Sequence, residues 1–368
     1  CGSMDASVPK SLDGDRTVPL RAALAAAPAL GPALERLDWI APLPNAAAPG
    51  FLYLAGAVHG TPVGGGGFDL AEAAGRIAGE ASEVIAQRDA RPAPDAPPIH
   101  PALAGIGSDG SRIAARVVAS GEATAAPFAA LRPDPAATAK PSLGLAAGPD
   151  PERAALAAAL ELLERDAAAR WWDGSARPRM VCAGLAARAG AALARAREGS
   201  ATPRPTFLLA LAARAGVPVA AAISRDGDGD RGLVVGLKAA LDPGSALAGA
   251  LAEVLQMEIA LEIARLRART GQSTEADAIP LGCAGLAPDG FDAFAPLPPA
   301  PERPDPPRDL ADLARRLAAE GIPLIVADLP GLPNGLAVAK AFAPGLASPT
   351  GPDPTAPAGA PARHAALT

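Results

Sequence analysis

Leu160 to Trp172 reads LELLERDAAARWW, and this stretch decides what kind of protein the 368 residues make. Glu161 and Glu164 are three apart, which on a helix sets both carboxylates on one face, here among leucines and alanines. Like charges so placed repel. With lysine scarce nearby, a divalent cation held by oxygen ligands is an economical compensation. The surrounding pattern predicts a helix opened by Asp150 or Pro151 and running to Arg170, ahead of Asp173-Gly174.

Outward from this helix the pattern recurs twice. Glu80 and Glu83 belong to a predicted helix from Asp69 to Arg88, with Asp69 as its N-cap directly after the turn expected of Gly64 to Gly67. Glu253 and Gln256 belong to a third, from about Ser245 to Arg269. A single Glu-x-x-Glu usually marks a solvated helix edge. Three such pairs, each flanked by Ala, Leu, Ile or Val, point instead to Mg²⁺ bound through carboxylates together with phosphate oxygens.

The rest of the chain fits one α+β domain with mixed sheets and long helices carrying the paired glutamates. FLLALAARAG from Phe207 reads as helical, while VPVAAAIS from Val217, the run from Gly232 and Ile322 to Asp328 read as strands, and Leu310 to Glu320 as a helix. Proline-rich stretches at 89–101, 131–141 and 296–307 read as surface connections. Cys1-Gly2-Ser3 ahead of Met4 reads as an added remnant (residues 1–4), 5–346 as the catalytic domain and 347–368 as a Pro/Ala-rich tail.

Composition excludes several classes. Hydrophobic residues make up 49% of the chain, enough for a core, and a net charge of −6 argues against a nucleic-acid footprint. Residues 39 to 68 carry no formal charge, but Pro42, Pro44, Pro49, Pro62 and four glycines break any membrane span. Three cysteines form no paired framework, and the expectation is a reducing, cytoplasmic setting. Cys182 and Cys283 lack activating neighbours and read as buried packing residues. The glycine run lacks the spacing of a phosphate-cradling P-loop, and Asp226, Asp228 and Asp230 lack the closing glutamate of a calcium loop. His59, His100 and His364 show no metal spacing, and Trp171 and Trp172 serve equally as core anchors or as a stacking surface.

LELLERDAAARWW resembles the signature of the YcaO family, a glutamate-rich helix ending in ERDA with an aromatic pair three residues later. GGGFDLAEAAGRIAGEASE from Gly65 to Glu83 is similar to the family's GKG turn and following helix, and it sets Glu80 and Glu83 on two metal-binding glutamates. Ser142 opens SLGLAAGPDPERAALAAALELLER, which resembles the stretch ending in the second pair. AALDPGSALAGALAEVLQ, ending at Gln256, resembles the third nucleotide-site helix, and the likeness runs on to Leu346. Gly66 stands where the family has the lysine of GKG, Leu143 stands where many members have asparagine, and a terminal PxPxP is missing.

The resemblance implies an ATP- and Mg²⁺-dependent enzyme that phosphorylates a backbone amide oxygen of a ribosomal peptide. It implies metal ligation by Glu80, Glu83, Glu161, Glu164 and Glu253, nucleotide contacts from Gly65, Gly67, Ser142, Arg165 and Gln256, and a catalytic role for Arg165. Attack by a Cys, Ser or Thr side chain gives an azoline, the first expectation. Attack by sulfide gives a thioamide. The expected partners are a substrate peptide or protein and either an E1-like, leader-binding component or a TfuA-like one, with no nucleic acid and no membrane; a homodimer is left open. The rival reading is a non-catalytic scaffold that docks a peptide, favoured by Gly66 and Leu143 and opposed by the retained glutamates and Arg165.

Overall fold

The computed structural model describes residues 27–104, 110–132, 141–202, 204–227, 231–285, 296–299 and 305–347. Three antiparallel sheets organise them. A helical turn, α1 (Gly31–Leu34), precedes a meander of β1 (Trp39–Leu43), β2 (Leu52–Val58) and β3 (Thr61–Gly67), which pair in that order. Next come α2 (Leu70–Asp89), β4 (Arg112–Val117), β5 (Ala123–Pro127), β6 (Leu145–Gly148) and α3 (Pro151–Trp172). β7 (Arg179–Met180), α4 (Ala183–Ala196), β8 (Thr206–Leu211), β9 (Val219–Ser224) and β10 (Val234–Ala239) lead into α5 (Pro243–Arg269) and α6 (Ala278–Ala284). The described chain closes with α7 (Leu310–Ala319), β11 (Ile325–Leu329) and β12 (Ala337–Phe342). The second sheet has the order β10-β9-β8-β7 and the third β5-β4-β11-β12-β6. Parallel partners occur as isolated bridges such as Ile99 to Ala125.

Each long helix starts by the same device. Asp69, Asp150 and Asp242 sit in extended backbone, and each accepts on its carboxylate the N–H of the residue three further on: Glu72, Arg153 and Ser245. Pro151 and Pro243, with φ already set and no N–H to waste, open the second and third helices. Glycine lets each helix lie directly on strand backbone. A Cβ at Gly65 would fall 2.3 Å from the Ile77 nitrogen, at Gly148 2.5 Å from that of Ala154, and at Gly236 2.2 Å from that of Val254.

The larger apolar clusters lie one round α3, β8–β12 and α7, one round α5, and one round α2. Trp171 and Trp172 belong to the first, each 1% exposed and edge-to-face with each other, so they are core anchors.

Several readings of the sequence change. Gly64 to Gly67 finish strand β3 and are buried: α2 lies against Gly65 and Gly67 and the rings of Tyr53 and Phe51 over Gly64 and Gly66, so close packing, and not a turn, is what requires residues without side chains. Thr206 to Leu211 is a strand where a helix is expected: Ala and Leu suit either state, and pairing with β9 along its whole length settles it. Cys283 is buried, and burial pushes its thiol up to about 12, but Cys182 is exposed at the start of α4. Asp228 and Asp230 and the expectations for residues 1–4 and 348–368 lie outside the described residues. Among the described residues, no helix is long and apolar enough to cross a membrane.

Candidate functional site

β3, β6 and β10 each form the last strand of their sheet, so each would leave a row of backbone N–H groups without a strand partner. Glutamates from the three long helices supply the acceptors. α2 packs on β2 and β3 and also touches β6, α3 packs on β6 and β12 and also touches β10, and α5 packs on β9 and β10 and also touches β3. Each helix thus joins its own sheet to the next.

The hydrogen bonds follow that geometry. Glu80 accepts the Gly64 N–H at 2.6 Å, and Glu83, one turn on, accepts that of Ala147 at 3.0 Å in the neighbouring sheet. Glu161 accepts from Gly144 at 3.1 Å, just before β6, and Glu164 crosses to Ala239 at 3.0 Å on β10. Glu253 accepts from Leu237 at 3.0 Å on the same strand. All five predicted glutamates are therefore held by backbone N–H groups through one carboxylate oxygen, four on strand edges and Glu161 on the residue that precedes β6. In each case the backbone N–H occupies a single carboxylate oxygen.

The carboxylates also sense one another. Burial raises Glu83 to about 8, opposed by the Ala147 N–H and reinforced by the charges of Glu161 and Glu80. Burial likewise raises Glu80, Glu161 and Glu253, with Glu164 adding to the effect on the last two. Each of these groups resists ionisation in the protein alone, and a bound cation reverses that preference. Among the described residues, no three His, Cys, Asp or Glu side chains gather into a self-sufficient metal cage. Mg²⁺ does not need one when one or two carboxylates share it with phosphate oxygens.

Arg165 sits inside this ring. Its guanidinium lies 3.6 Å from Glu164; burial opposes its charge, but Glu164, Glu253 and Glu161 outweigh burial and raise its pKa. Asp166, the other acidic neighbour in sequence, points away to Arg170 at 2.6 Å and accepts the Ala347 N–H. Ser142 is exposed in the turn before β6, and Gln256 follows Glu253 by one helical turn. Gly65 and Gly67 owe their lack of side chains to α2, since a Cβ at Gly67 would fall 2.8 Å from the Ala73 nitrogen.

Four features escape the sequence reading. Lys340 on β12 is buried, donates to the carbonyls of Pro141 at 2.8 Å and Leu143 at 2.5 Å, and so clamps the turn carrying Ser142. Burial lowers it to about 8 against the pull of Glu161. Lys238 on β10 acts on Glu83, Glu161 and Glu253. Tyr53 lays its hydroxyl over Gly64, and burial together with the Glu80 charge pushes it up to about 12. Phe51 fills the space over Gly66, where a Cβ would meet its ring at 2.5 Å. One sequence signal could have placed the helices more firmly: Asp69 to Glu80, Asp150 to Glu161 and Asp242 to Glu253 are each eleven residues, three helical turns from cap to carboxylate.

A sequence model of the family described as YcaO cyclodehydratase, ATP- and Mg²⁺-binding, matches residues 112–347. Among solved structures the chain is similar to a heterocyclase in complex with substrate and cofactor, with TM-score 0.66 and 20% identity over 87% of this chain and 52% of that one. The chain thus spans about half the length of that protein. It is similar to the YcaO protein from Methanopyrus kandleri bound with AMPPCP and Mg²⁺, with TM-score 0.66 and 18% identity over 93% of this chain and 96% of that one. It is also similar to the E. coli microcin synthetase McbBCD complex with pro-MccB17 bound, with TM-score 0.58 and 13% identity over 83% and 88%. At these identities the structural likeness speaks for the fold. No curated protein matches the chain.

Proposed function

The chain belongs to the YcaO family, which uses ATP and Mg²⁺, and on that premise we propose that it activates a backbone amide of a peptide by phosphorylating its oxygen, giving an azoline. The observation that carries this reading is the convergence of five backbone-anchored glutamates and Arg165 from three helices. That convergence gives a compact shell of carboxylates with the Arg165 guanidinium in it.

An amide is a poor electrophile because its nitrogen feeds the carbonyl and its oxygen leaves badly. Bound ATP supplies the phosphoryl group that makes the oxygen a leaving group, and Mg²⁺ neutralises the phosphates. A Cys thiol or a Ser or Thr hydroxyl of the peptide bonds to the amide carbon. The amide oxygen departs as part of phosphate, the C=N bond of the ring forms, and ADP and phosphate are the other products.

In this reading Glu80, Glu83, Glu161, Glu164 and Glu253 hold the metal shell, each presenting the oxygen that its strand amide does not use. The anchoring N–H groups fix where those oxygens point before any ligand arrives, so little ordering is left to pay at binding. Arg165 offers a planar fork to the transferring phosphoryl group. Ser142, Gln256 and the backbone of Gly65 and Gly67 contact the nucleotide, and Lys340 keeps the Ser142 turn in place. The substrate peptide and a leader-binding partner come from outside the chain.

Calorimetry of AMPPCP binding with and without Mg²⁺ tests the site. Binding that requires Mg²⁺ is expected, and binding indifferent to it overturns the assignment. Incubation with peptide, partner and ATP separates the chemistries, since an azoline is lighter by about one water and a thioamide heavier by about sixteen daltons. A peptide unchanged in mass with ATP unconsumed replaces the enzyme by the scaffold reading, which the Phe51 ring over Gly66 would then explain.

A further inference from the structure

Lys238 lies between Leu237 and Ala239, the two residues whose N–H groups hold Glu253 and Glu164. It is exposed while both neighbours are buried, as alternation along a strand requires. Its stem crosses α5 over Gly249: a Cβ built there would fall 2.4 Å from Lys238 Cγ, 2.9 Å from Cβ and 3.0 Å from Cδ. A side chain at position 249 would therefore displace the lysine stem. The charge at the end of that stem acts on one glutamate from each long helix, Glu83 of α2, Glu161 of α3 and Glu253 of α5. Lys238 thus sits on β10 where that strand packs against α5 and also touches α3.

The two lysines near the ring differ in what they are committed to. Lys340 is 3% exposed and spends its ammonium on two carbonyls. Among the described residues, Lys238 has neither a hydrogen-bond partner nor an ion pair, although acidic groups surround it. An uncommitted ammonium beside a carboxylate ring is suited to an anion that arrives with its own divalent cation, because the anion can then bridge the metal held by the glutamates and the lysine.

We propose that Lys238 binds the phosphate tail of the nucleotide, held in place by the channel that Gly249 leaves in α5. The proposal rests on the reading of this ring as a nucleotide site. It adds a cation from β10 to Arg165, and it assigns Gly249 to making room for that cation.

Titration calorimetry with Mg²⁺ and either adenosine or AMPPCP tests it, on wild type, Lys238→Met and Lys238→Arg. Methionine keeps an unbranched stem over Gly249 and removes the charge, so the melting temperature should stay near wild type. The expected result is a loss of about ten- to a hundredfold in AMPPCP affinity for Lys238→Met, unchanged adenosine binding, and most of the AMPPCP affinity regained in Lys238→Arg. Unchanged AMPPCP binding in Lys238→Met overturns the proposal while leaving the site reading intact. Equal losses for adenosine and AMPPCP, with a lowered melting temperature, also overturn it, since Lys238 would then serve the fold. A wild-type protein that binds AMPPCP under no condition removes both readings together.

Discussion

Glu164 is 3% exposed, accepts the Ala239 N–H and lies 3.6 Å from Arg165, so its charge is used from two sides. Glu164→Gln keeps an acceptor oxygen for Ala239 and loses the charge. Mg²⁺-dependent AMPPCP affinity should fall by at least about tenfold, a loss seen even when an outer partner of a metal site is removed. Glu80→Gln should behave alike, since its anchor on Gly64 also survives the change. Unchanged affinity in both variants, read by calorimetry, removes these residues from the site. Arg165→Lys keeps the positive charge but loses the planar fork, and turnover should fall by about a hundredfold with folding intact. Wild-type turnover with a lowered melting temperature would make Arg165 a structural counterion to Glu164.

At the scale of elements, the glycines of β3, β6 and β10 let three helices rest on strand backbone, and the clash at Gly236 is the closest of the three. Gly236→Ala must push α5 off β10, and with it Glu253. A loss of about 1–3 kcal/mol in urea unfolding is expected, as for other overpacked cores. The far half of α5 is tied down differently. Glu258 receives Arg197 at 2.7 Å and the Ser224 hydroxyl at 2.5 Å, and Asp226 is bound by Arg204 and, at 2.7 Å, by Arg265. Burial raises the Asp226 pKa, but the Arg265 hydrogen bond and the Arg204 charge outweigh it and hold it below the usual carboxylate value. Its contribution to stability is therefore complete above an unfolded pKa of about 3.9 and is lost as pH falls through the lower folded value. Asp226→Asn should be less stable than wild type at pH 7 and should lose less on acidification to about pH 3. Parallel slopes in urea unfolding at the two pH values would remove Asp226 from the acid response.

For the whole molecule, each of the three long helices packs on one sheet and reaches a second, so the glutamate ring and the fold share stabilising contacts. Ligand that binds the ring joins α2, α3 and α5 and should raise the melting temperature as its concentration exceeds Kd, by linkage amounting to about 2.7 kcal/mol at a hundredfold excess. Mg²⁺ with AMPPCP should give this shift and AMPPCP with EDTA should not, in a thermal-shift titration. Equal shifts with and without Mg²⁺ would place nucleotide away from the carboxylates.

The sequence by itself determined the helices that carry the site and the pairing of their carboxylates, because both are local. Asp69 and Pro151 mark the starts of their helices, and Glu-x-x-Glu spacing sets a shared face whatever surrounds it. It also determined the family resemblance, through LELLERDAAARWW and the segments round Gly65 and Gln256. Only the tertiary structure decided which strand edge each glutamate answers, since Glu83 to Ala147 and Glu164 to Ala239 span different sheets and no sequence period encodes such a partner. The structure also decided that Gly64 to Gly67 form a strand and that Phe207 to Leu211 do not form a helix, because glycine and leucine are permissive and β-pairing overrides their local preference. Lys238 and Lys340 stood in sequence as two isolated lysines. What separates the open cation from the buried clamp is which backbone lies beside each: a glycine of α5 under one stem, and the carbonyls of Pro141 and Leu143 at the tip of the other.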